Sequence, residues 1–94
     1  MATSRFLIEV PHEEATVACA RAVEVFLSSG SHFVSHADWG CYDGVHKAWI
    51  VVEAESKDEA RHVVPPIFRA QATIVKLNAF TLKDIQSILA SHPS

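Results

Sequence analysis

Asp43-Gly44 stands between two runs of strand-forming residues, SHFVSHADWGCY and VHKAWIVVEA. Asp-Gly is the dipeptide preferred by a two-residue type I′ turn, because both central residues of that turn take positive φ. The pair therefore predicts a β-hairpin and, with it, a register. Tyr42 is expected opposite Val45, Cys41 opposite His46, Trp39 opposite Ala48, Asp38 opposite Trp49 and His36 opposite Val51. Directly paired residues share a face of the sheet. One face then carries Ala37, Trp39, Ala48, Ile50 and Val52. The other carries His32, Val34, His36, Asp38 and Tyr42 beside Val45, Lys47, Trp49, Val51 and Glu53.

The rest of the chain follows from shorter signals. RFLIEV, closed by Pro11, reads as a first strand. From Glu13 to Ser29, residues Ala15, Ala18, Cys19, Ala22, Val23, Phe26 and Leu27 repeat at helical spacing, and Gly30 supplies the stop. Ser56-Lys57-Asp58-Glu59 has the form of a capping box, so a second helix is expected there, breaking at Pro65-Pro66. IFRAQ follows as a turn or a short helical continuation. ATIVKLNAF, residues 72–80, is the fourth strand, and Thr81 caps a last helix with Leu82, Ile85, Ile88 and Leu89 on one stripe. The order β-α-β-β-α-β with an added C-terminal helix is the split βαβ order of ferredoxin-like domains. It predicts an α+β fold with an antiparallel sheet in the order 4-1-3-2, both main helices on one face and the other face open.

Ninety-four residues form one domain, small enough for burial of a second sheet face in a dimer to help it considerably. A formal charge of −3 without any Lys/Arg run argues against nucleic acid as a partner. No stretch approaches the roughly 18–20 apolar residues of a membrane span, and two cysteines without CxxC spacing read as free thiols. The expectation is a cytoplasmic protein with tails only at residues 1–4 and 92–94.

An open face bearing Trp49, Val34 and Val51 among polar groups is the natural place for an interface or a ligand. His36 and Asp38 are the candidate catalytic and metal-ligating pair. At i and i+2 on a strand they lie about 6–7 Å apart, close enough to converge on an ion, with a third ligand from a dimer mate, a loop or Glu9. His32 is expected roughly 13 Å from His36 and outside such a site. His12, His32 and Glu53 form a second candidate cluster, and Cys41 opposite His46 a third, as thiol and base. Cys19 reads as a buried hydrophobe on the first helix. Trp39 is expected in the core, and Trp49, Tyr42, His32 and Glu9 as ligand-binding residues.

Through RFLIEV, the Asp-Gly hairpin and ATIVKLNAF, the chain resembles the ferredoxin-like, dimeric α+β-barrel group of small bacterial proteins. The resemblance implies a homodimer paired through the open sheet face around a cavity. Members of that group include cofactor-free monooxygenases, small decarboxylases or isomerases, and metal-binding proteins. Three functional expectations follow. The first is a homodimeric binding protein holding a divalent transition metal or a small organic ligand at His36, Asp38 and Trp49. The second is an enzyme with His36 as general acid or base, oriented by Asp38. The third is a structural or regulatory dimerisation module.

Overall fold

In the computed structural model, which describes residues 2–92, β1 (Ser4–Pro11), β3 (Lys47–Ala54) and β4 (Thr73–Leu77) form the body of an antiparallel sheet, with β2 (Asp38–Trp39) at its edge. The strands lie in the order β2-β3-β1-β4, and counted from the opposite edge the same neighbours read 4-1-3-2. Alternation fixes what each strand buries. Phe6, Ile8 and Val10 of β1, Ala48, Ile50, Val52 and Ala54 of β3, and Ile74 of β4 point to one side and are buried, while the residues between them are not. Phe26, Val34, Ala60 and Val64 pack onto that side and complete the core.

Three of these four come from helices, and Val64 from the bend that follows the third. α1 (Thr16–Ser28) begins three residues later than its pattern suggests, with Ala15 as an extended N-cap that offers no side-chain acceptor. Ala22 and Phe26 are its buried residues, whereas Leu27 lies in water. α3 (Lys57–Arg61) starts where the capping box places it, with Ser56 Oγ accepting from Glu59 N at 3.1 Å. Pro65 separates it from the single turn α4 (Pro66–Arg69), so IFRAQ begins helical, as expected. Arg61 then ties this region down by donating to the carbonyls of Arg69 and Ala72 at 3.0 and 2.7 Å.

The segment 31–46 departs from the hairpin. Only Asp38↔Trp49 and Trp39↔Ala48 pair as expected. Upstream, residues 32–35 coil into one helical turn, α2 (His32–Ser35), capped by Ser31. Val34 enters the core instead of the open face. A short apolar run is ambiguous between strand and helix, and burial of Val34 decides it here. Downstream, Cys41–Asp43 form a 3₁₀ turn. Of the two expected turn residues, only Gly44 has positive φ, at 78°, so the turn is not type I′.

Gly40 explains how this loop stays tight. A Cβ there would stand 2.7 Å from the carbonyl oxygen of Val45 and 2.8 Å from the Trp49 ring. Strand β4 is also shorter than expected, leaving Ala79 and Phe80 exposed. Of the expected tails, Met1, Pro93 and Ser94 lie outside the described residues, and Ser4 already belongs to β1. α5 (Leu82–Ser91) has a full capping box between Thr81 and Asp84, yet none of its residues is buried. No described helix is long and apolar enough to cross a membrane.

A candidate metal centre at the end of β1 and β3

The β1–β3 ladder runs Val10↔Ala48 and Pro11↔Lys47, so the next facing pair is His12 and His46. His12 N donates to His46 O at 3.0 Å and extends the ladder by that step. Period-two alternation from buried Val10 and Ala48 turns both imidazoles to the helix side of the sheet. There they meet Cys19, in the first turns of α1, and Cys41, which opens the 3₁₀ turn after β2. Four elements thus bring together one histidine-cysteine quartet, with all four donor atoms within 4.8 Å of one another.

Individual distances are shorter. Cys19 Sγ and Cys41 Sγ are 2.6 Å apart, and Cys41 Sγ lies 3.2 Å from His12 Nε2. The His12 and His46 rings meet edge to face with centroids 5.7 Å apart. Trp39 backs the cluster, its ring 5.7 Å from His12 and 4.9 Å from Phe26. The site is therefore joined to the core through an aromatic stack. On its outer side a cleft of about 540 Å³ opens between Cys19, Val23, Trp39, Cys41, Tyr42 and His46.

The electrostatics favour a neutral imidazole at His12. Burial holds the His12 pKa below its ordinary value of 6.5, and His46 beside it lowers it further. The Nδ1 atoms of His12 and His46 are buried without a hydrogen-bond partner, which is unusual for a buried polar atom. Burial also pushes the Cys41 thiol up to about 11, with the Cys19 thiol adding to the rise.

Tetrahedral zinc with Zn–N near 2.0–2.1 Å and Zn–S near 2.3 Å requires ligand atoms about 3.3–3.8 Å apart. The quartet brackets that spacing, and side-chain rotations of about 1 Å would open the Cys19–Cys41 contact to it. Two cysteines and two histidines are also one of the recurrent closed zinc donor sets.

The residues expected to form the site lie elsewhere. His36 caps α2 and is exposed, its Nδ1 at 2.7 Å from His32 O and 3.2 Å from Ser35 Oγ. Because this segment is helical, His32 and His36 are one turn apart with ring centroids 4.3 Å from each other; the separation of about 13 Å expected on a strand is overturned. Asp38 is exposed in β2. Among the described residues, the donor quartet includes neither His36 nor Asp38.

Glu9 and Trp49 do come together on the open sheet face. Glu9 Oε1 accepts from Trp49 Nε1 at 3.1 Å and from Lys47 Nζ at 3.4 Å. Tyr42 borders the cleft outside the quartet instead and is fully exposed. His12 joins Cys19, Cys41 and His46 rather than His32 and Glu53, and Cys19 is half-buried at this site rather than a core hydrophobe. The Cys41/His46 neighbourhood was visible from the hairpin. The β1–β3 register, which adds His12, and the packing of α1, which adds Cys19, were not.

Comparison of the chain with family models, curated proteins and solved structures returned no match.

Proposed function

We propose that this protein binds a transition-metal ion of the zinc class through His12, Cys19, Cys41 and His46. The convergence of these four donor atoms within 4.8 Å carries the reading. All four coordination positions are supplied by the protein, which suits an ion that holds structure rather than one that keeps an open position for substrate. The ion would fasten the end of β1, the first turns of α1, the loop after β2 and the start of β3. Its binding free energy then adds to folding free energy. Both sulfurs bind as thiolates, so uptake displaces protons, including that of the Cys41 thiol.

The element order and the one-sided helical cover fit a ferredoxin-like arrangement, and in this reading the ion closes one end of such a domain. The metal expected of this chain is retained; its ligands move from His36 and Asp38 to the quartet.

The test is a cobalt(II) titration of the reduced protein, followed by competition with zinc. Equimolar uptake with thiolate-to-cobalt charge-transfer absorption and tetrahedral ligand-field bands is expected, and zinc should displace the cobalt. Cys19→Ser and Cys41→Ser should each abolish the charge-transfer signal of the pair or halve it. Absence of equimolar uptake sinks the reading, as does an unchanged spectrum in both variants.

A further inference from the structure

Two of the apolar surfaces that face water sit on different elements. The first is on α5 and its approach. Phe80, Leu82, Ile88 and Leu89 are well exposed, Ile85 is 36 % exposed, and every residue from 78 to 92 is exposed. The second is on the sheet face away from the helices. There Leu7 pairs with Val51 on one side and Val75 on the other, giving an apolar row across three strands. Val51 and Val75 are 53 % and 43 % exposed. Arg5 and Glu53 flank the row at one end, and Glu9 and Lys47 at the other, the charged rim typical of an interaction surface.

We propose that a second copy of this chain covers both surfaces at once: α5 of one protomer lies across the open sheet face of its partner, and the partner's α5 does the same in return. This inference stands apart from the metal reading and uses none of its residues.

Four observations favour a second copy over other occupants. A ten-residue helix is shorter than the roughly 12–15 residues at which an isolated helix becomes even marginally stable in water, so α5 needs a surface to pack on. Its dimensions fit the surface available. Such a helix is about 15 Å long and about 10 Å across, and the three-strand row is about 10 Å wide at a strand spacing of ~4.8 Å.

The chain is also more extended than its length requires. Its radius of gyration is 16.7 Å, against about 12 Å for a compact chain of this size. Finally, a stable interface buries about 800 Å² per partner, or about an eighth of the 6683 Å² surface. One helix on one sheet is a small contact. The reciprocal exchange doubles it, engages α5 and the open sheet face of each chain and closes as a twofold dimer.

Sedimentation equilibrium of the full chain, with amide exchange across residues 82–91, tests this. Wild type should sediment near twice the chain mass of 10.3 kDa with slowed exchange in α5. Val51→Lys, at an exposed sheet position, and Leu89→Lys, at an exposed helix position, should each shift the protein to monomer and return α5 to fast exchange, with slow exchange retained in β1 and β3 as the check on folding. A wild-type monomer at high concentration overturns the proposal, whether α5 is then free or folded back on its own sheet. A dimer that survives both substitutions overturns it as well.

Discussion

The two ends of this molecule are incomplete in opposite senses. At one end, polar side chains are drawn in from four elements, and two imidazole nitrogens are buried without partners. At the other, a well-capped helix holds its apolar stripe in water. The first gathers four potential ligand atoms and is tied to the core by the stack from Phe26 through Trp39 to His12. The second needs apolar cover and shares no buried residue with the core. Perturbing the core should therefore reach the quartet and leave α5 as it is.

Phe26→Ala is the strongest way to break that contrast. Removing a buried aromatic costs about 3–5 kcal/mol, and here it also takes away the support behind Trp39. Chemical denaturation should show this loss, and a cobalt titration should show weakened binding. Exchange rates in α5 should change little; if they change as much as those of β1, the two ends are not independent.

Removing the ion comes next. With free metal a thousandfold above its dissociation constant, bound zinc should add about 4 kcal/mol to stability, visible as a fall in melting temperature on adding a chelator. In Cys41→Ser the chelator should have little further effect. Affinity should fall by more than the roughly 10- to 100-fold that follows loss of an outer hydrogen-bond partner.

Gly40→Ala should cost less. Its Cβ must displace a backbone carbonyl and an indole ring, an overpacking penalty of about 1–3 kcal/mol. Because Gly40 precedes Cys41, the same substitution should lower metal affinity. A variant with reduced stability and native affinity would separate the loop from the site.

The smallest effects belong to α5. Thr81→Ala removes a cap and should cost about 1 kcal/mol of helix stability. Hydrogen bonds from Thr81 hold the Asp84 pKa below its ordinary 3.8. A depressed carboxylate pKa means the stabilising contact is fully present above the unfolded value and is lost as pH falls through the folded one. Helical circular dichroism from α5 should therefore decline only below about pH 4. Asp84→Asn should remove that acid step while leaving the signal of the quartet untouched.

Much of the scaffold was legible because its signals are local. The strand-forming run RFLIEV marks β1, alternation in KAWIVVEA marks β3 with the correct buried face, and Ser56 and Thr81 mark the starts of α3 and α5. Trp39 faces Ala48 as the Asp-Gly centre implied, since the loop changed its turn type without changing the register beyond it. The reading failed where a local pattern admits two structures. SHFVSH alternates well enough for a strand, and only the burial of Val34 beneath α1 and β3 makes it helical. That one change removed His32, His36 and Val34 from the open face, and with them the expected site.

The sequence by itself determined where β1, α3 and α5 begin, which face of β3 is apolar and that α5 carries an apolar stripe, because those properties depend on neighbours a few residues apart. Tertiary structure alone decided the quartet. His12, Cys19, Cys41 and His46 span 34 positions of the chain, 46 less 12, and have no shared motif spacing. They meet because β1 pairs with β3 in one particular register, which sets His12 beside His46, and because Phe26 seats α1 on the sheet so that Cys19 reaches them. Non-local pairing of that kind is chosen by the packing of the whole core, which no short stretch of sequence encodes.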